Sequence, residues 1–198
     1  MRSARLLVLT FAVLAEVATA ANPFFNARDA RPVSALFTGT EWGEEIDGDV
    51  TLRARVVTQQ VAQAAWGAVF KVEFTDIQSR APTRREIRPE YFIVTDDRIA
   101  LLNEPDNEEA ARRIAAMPQP PPFQRSDIYG ITEGRFVHED PPWTTTVQTE
   151  GDRCTYQASH NSGHFKTVVW RKGIGLVEYA MGSGAHRDGF RLRRTAEK

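Results

Sequence analysis

The chain of 198 residues is short of several things, and each shortage excludes something. It has one cysteine, Cys154, so no disulfide can form within the chain and the fold must rest on packing and strand pairing. It has no apolar run near the about 20 residues that cross a bilayer as a helix. Its formal net charge is only -1, which gives no broad field for a polyanion and argues against nucleic acid as a partner. There is no internal repeat, and the only biased tract is Pro118-Gln119-Pro120-Pro121-Pro122, which reads as a stiff connector.

What is present begins with an address. Arg2 and Arg5 precede an apolar run from Leu6 to Leu14 and a small-residue site at Ala18-Thr19-Ala20, the layout of a secretory signal peptide over 1–20. The two arginines are not adjacent, which favours the general export route over the twin-arginine one. Residue 21 is Ala, so no lipid-anchor cysteine stands at the expected cleavage point. The expected destination is periplasmic or extracellular. Residues 21–33 lack periodicity and are expected to form a flexible arm, leaving 34–198 as a single β-rich domain.

Alternation carries the fold. Val50, Leu52, Ala54 and Val56 face one way while Thr51, Arg53 and Arg55 face the other, and Phe70, Val72 and Phe74 alternate with Lys71, Glu73 and Thr75. Tyr91–Val94 and Ile99–Leu102 flank the turn-forming Thr95-Asp96-Asp97-Arg98, a hairpin. Gln59–Ala65 is ambiguous between helix and strand. Asp106, with Glu109 three residues on, signals a helix N-terminus, and Pro118 sets its limit. From Cys154 to Arg194, short β-rich segments are separated by turn residues. The expectation is a mainly β chain: an antiparallel meander of nine or ten strands forming a curved sheet, half-open barrel or barrel-like sandwich, with one short helix.

The constellations that could carry chemistry are thin. His160 and His164 are weak metal candidates, because Asn161-Ser162-Gly163 reads as a hairpin loop between them and Cys154 lies too far along the strand to share an ion. Ser183, His186 and Asp188 sit within a turn-like stretch and do not match a nucleophile elbow. Arg80, Arg84, Arg85 and Arg88 interleave with Glu86 and Glu90 and read as a solvated loop. Cys154 reads as a small buried residue. No catalytic residue or cofactor is assigned. An enzyme of hydrolase type ranks last among the readings.

Aromatics are the remaining signal. Val168 and Trp170 oppose Phe165 and Val169 in one strand, and Ile174 and Leu176 oppose Val177 and Tyr179 in the next. A sheet apolar on both faces must cover the second with a helix, another sheet, a partner or a ligand. That predicts a non-enzymatic binding module, its ligand a lipid or other apolar small molecule, lined by Trp66, Phe70, Phe74, Tyr91, Trp143, Tyr156, Trp170 and Tyr179. The alternative is an interaction or structural protein of the cell envelope, meeting another envelope protein or a second copy of itself.

Trp170-Arg171-Lys172-Gly173-Ile174-Gly175-Leu176-Val177-Glu178-Tyr179, followed by Gly182 to Asp188, resembles the closing hairpins of small uncharacterised bacterial exported β-rich proteins. The spacing is also similar to that of half-open-barrel envelope carriers, the lipoprotein-carrier group among them. The likeness spans residues 170–188, and no functional residue of those carriers matches a position here. It implies an exported β-protein.

Overall fold

The computed structural model describes residues 22–25, 31–44, 46–80, 87–131, 133–184 and 187–196. The expected signal peptide and His186 lie outside the described residues. The first run of strands is β1 (Val33–Trp42), β2 (Val50–Ala64), β3 (Gly67–Ser79), β4 (Glu90–Val94), β5 (Arg98–Leu102) and β6 (Ile128–Ile131). Helix α1 (Asn107–Ala115) stands between β5 and β6. The second run is β7 (Gly134–Asp140), β8 (Trp143–Glu150), β9 (Arg153–His160), β10 (Phe165–Arg171), β11 (Gly175–Ser183) and β12 (Asp188–Arg194).

All twelve belong to one antiparallel sheet in the order β6-β5-β4-β3-β2-β1-β12-β11-β10-β9-β8-β7. Each run is a plain meander, and the two join at the centre, where β1 pairs with β12 from Phe37↔Arg194 to Trp42↔Gly189. The sheet curls into a half-barrel. Its two edges, β6 and β7, are consecutive in the chain, and β6 turns in against β8 and β9.

The period of two decides what lies inside. Leu52, Ala54 and Val56 are buried on the concave face while Thr51, Arg53 and Arg55 are exposed on the convex one. Ala68, Phe70, Val72 and Phe74 of β3 join the same inner core. On the outer face α1 lays Ala110, Ala111 and Ile114 against Val69, Tyr91, Ile93 and Leu102. Burying a side chain the size of Ile114 contributes about 1.5–3 kcal/mol. Asp106 caps this helix, accepting from Glu108 N at 3.1 Å and Glu109 N at 3.0 Å. The helix ends at Ala115, ahead of Pro118.

Three expectations change. Among the described residues the strands number twelve, with β6 and β7 as added edges, and β2 runs on through the ambiguous 59–64. The arm is not loose at its start. Phe24 and Phe25 are 3% and 6% exposed, and Asn22 Nδ2 donates to Thr95 O at 2.8 Å and to Arg98 O at 3.2 Å. A segment without periodicity is thus held by side-chain anchors. The second apolar face near β10 and β11 is covered in part by the chain's own aromatics. Trp42 and Phe165 stack at 6.4 Å over Gly189 and Gly182, where a Cβ would come within 2.7 Å of Trp42 and 2.5 Å of Phe165.

A candidate binding site inside the half-barrel

Lys166, Val168 and Trp170 share the inner face of β10, and Glu90, Phe92 and Val94 share that of β4. These strands lie six places apart in the sheet, yet its curl brings Lys166 Nζ and Glu90 Oε1 into an ion pair. Tyr179 of β11 donates its hydroxyl to the same carboxylate oxygen at 2.8 Å. The ammonium sits over two rings, 5.3 Å from the centroid of Tyr129 and 5.6 Å from that of Tyr179. The Lys166 and Glu90 side chains are 20% and 15% exposed, so the pair is enclosed but reachable. Glu90 Oε2 is buried without a hydrogen-bond partner among the described residues.

The tyrosines around this pair are held neutral. Burial pushes the phenols of Tyr129 and Tyr179 well above their ordinary value of 10.0, and the Glu90 carboxylate pushes them further. Burial also raises Tyr156, which is hydrogen-bonded to Tyr129 and Thr145. The Tyr129 and Tyr156 rings stack at 3.8 Å, which fixes edge strand β6 onto β9. The interior therefore offers hydroxyl donors, the Lys166 ammonium and the carboxylates of Glu90 and of the buried Glu41 on β1 against an aromatic wall.

Toward the other end the space is filled from outside the sheet. Phe25 inserts its ring 4.7 Å from Trp170, 4.8 Å from Phe70 and 6.1 Å from Phe92. Lys172 lies over Phe24 at 5.5 Å, and Gly173 N donates to Pro23 O at 2.8 Å, so the segment is tied to the β10–β11 turn as well as to β4–β5. Beside Phe25 a void of about 20 Å³ remains, room for about one water molecule. Trp170 is wholly buried, and its Nε1 has no acceptor among the described residues.

Of the aromatics expected to line a pocket, Phe70, Phe74, Tyr156, Trp170 and Tyr179 do meet in the inner cluster. Trp66 and Tyr91 do not. They lie on the outer face under and beside α1, with Trp66 Nε1 donating to Met117 O at 3.0 Å and the Tyr91 hydroxyl to Glu108 Oε1 at 3.3 Å. Tyr91 has the opposite parity to Phe92 along β4, which puts the sheet between the two, and Trp66 stands in the β2–β3 turn before β3 begins. Trp143 stands at the start of β8, 40% exposed, with its ring on His160.

Sequence reasoning missed Phe25, Phe92, Tyr129, Lys166 and Glu90 as members of this site. Glu90, expected in a solvated loop, opens β4 on the inner face. The signal was available for Lys166, a lone charge on the inner row of an otherwise apolar strand.

His160 and His164 close the expected hairpin. His160 N donates to His164 O at 2.8 Å, and Gly163 takes φ 91°. His160 Nδ1 is occupied by the turn, 3.0 Å from Ser162 N and 2.6 Å from Ser162 Oγ. Among the described residues no group of three or more His, Cys, Asp or Glu is placed to hold a metal ion. Cys154 is fully buried, with Sγ 3.2 Å from Tyr129 O.

These features define an antiparallel β half-barrel with an aromatic interior and one polar end. Compared with known proteins, the chain matches no family model and no curated protein.

Proposed function

We propose that this protein is an exported, non-enzymatic binding module whose half-barrel holds an apolar small molecule, a lipid tail being the leading class. The observation that carries the reading is the position of Phe25. The region between Phe70, Phe92 and Trp170 is filled by a ring from a short segment outside the sheet. Withdrawal of that one ring would leave an aromatic-lined space beside the small void that Phe25 and Trp170 already line. Largely apolar walls with a few placed polar groups are what small-molecule sites present. Lys166 and Glu90 would meet the polar end of an amphipathic ligand.

The test is native mass spectrometry with organic extraction on protein taken gently from the envelope fraction, for the parent chain and for Phe25→Ala. The expected result is a reproducible apolar molecule released on unfolding, together with saturable uptake of an apolar fluorescent probe that strengthens in Phe25→Ala. Clean apo masses for both, with no probe uptake by a folded Phe25→Ala, would overturn the reading. Sequencing the N-terminus of the exported protein checks the address, with Ala21 the expected first residue.

The envelope-interaction reading draws support from β7, which ends the sheet and leaves Val137 40% exposed. A discrete dimer mass without ligand would favour it.

A further inference from the structure

A second concavity opens at the end of the half-barrel, sharing Ile174 and Arg194 with the small void beside Phe25 but not resting on the reading given to the interior. It lies where the β10–β11 turn, the start of β9 and the end of β12 come together, and holds about 620 Å³ open to solvent. Four arginines, Arg153, Arg171, Arg193 and Arg194, and one carboxylate, Glu178, line it together with the apolar Ile174 and Val177.

The arginines are arranged in a way that costs stability unless something offsets it. Arg153 and Arg171 are direct cross-strand partners on one face, and like charges placed opposite each other repel. Asp152 pairs with Arg171, while Arg153 has Glu150 as its other cross-strand neighbour. The Arg153 side chain bonds the Thr155 hydroxyl at 3.4 Å and makes no ion pair among the described residues. On the other wall Arg193 must share the Glu178 carboxylate with Arg191, at 3.2 Å and 3.4 Å. A chain of net charge -1 thus gathers a local cationic excess in a groove of ligand-sized volume.

Guanidinium groups present planar forks that match phosphate oxygens two at a time. We infer that this groove is a binding site for a phosphate-bearing molecule, with Arg153 and Arg193 as its principal contacts and Ile174 and Val177 receiving an adjoining apolar portion. The phosphate can belong to a soluble ester or to a lipid headgroup. Both chemistries use the same forks.

Calorimetric titration of the full chain with pyrophosphate tests the soluble source, and cosedimentation with vesicles of phosphatidic acid in phosphatidylcholine tests the lipid one. The expected result is saturable binding in at least one arm, weakened about tenfold by Arg153→Gln and further by adding Arg193→Gln. Both side chains are on the exposed face, so these variants should not lower the parent's denaturation midpoint, and Arg113→Gln, an equal charge change on α1, should leave the binding unchanged. Pyrophosphate binding alone assigns the soluble source, and vesicle binding alone assigns the headgroup. No saturable binding in either arm, or binding that the double variant retains in full, overturns the site.

Discussion

Glu90 and Lys166 meet across the hollow of the half-barrel although 76 positions separate them in the chain. Their contact is a strut rather than a ladder bond, since β4 belongs to the first meander and β10 to the second. Tyr179 and the ring of Tyr129 hold the strut in place from two further strands. The curl of the sheet at this level therefore depends on a charge pair that the interior has largely removed from water.

Breaking one side of that pair should be costly. Lys166→Met leaves the Glu90 carboxylate enclosed with only the Tyr179 hydroxyl, and the expected loss is about 3 kcal/mol in chemical denaturation. The double variant Lys166→Met/Glu90→Gln should recover part of it, because the uncompensated charge is gone. A double variant no more stable than the single one would show that the two side chains act independently.

High pH should loosen the same region. Tyr129 and Tyr179 have phenols raised well above 10.0, so the folded state keeps them protonated where the unfolded chain has begun to ionise. The folded state binds more protons in that window. Stability is accordingly full below about pH 10 and falls as pH rises through the folded-state values. Denaturation midpoints from pH 8 to pH 11 should decline, with a shallower slope in Tyr179→Phe.

Cys154 should be chemically silent until the fold opens. Its side chain is fully buried beneath Tyr129, so an aromatic disulfide reagent should leave the native protein unmodified for as long as it stays folded. Denaturant should release one thiol per chain. Rapid labelling of the native protein would contradict the packing of β6 over β9.

Removing the helix cap should have a modest, local effect. Asp106→Ala deletes both side-chain bonds to the first turn of α1 and should cost about 1 kcal/mol in stability. Hydrogen exchange should speed up in α1 and in the strands it covers, and the inner face should be little affected.

The strands and the cap were legible because they are local. Leu52, Ala54 and Val56 declare a face by their spacing, and Asp106 with Glu109 declares a helix start. What was illegible is set by contacts between distant residues. Nothing in Phe37 or Arg194 announces that they lie opposite each other, 157 positions apart. Phe24 and Phe25 have no period to read, and their burial comes from Asn22 and the turns it reaches. For Tyr91, aromatic character was visible but its side of the sheet depended on where α1 landed. The inner charges were hidden for a related reason, since Glu90 becomes an interior residue only when Lys166 arrives from the other meander.

The pairing of β1 with β12 gives the fold its order of completion. As the chain is made, β1 can find β2 at once, but its other edge waits for Asp188–Arg194, which follows only after the rest of both meanders. Neither meander can close the middle alone, and such long-range pairing is intrinsically slow. The half-barrel is sealed by β12, so the sheet has no centre until that strand arrives.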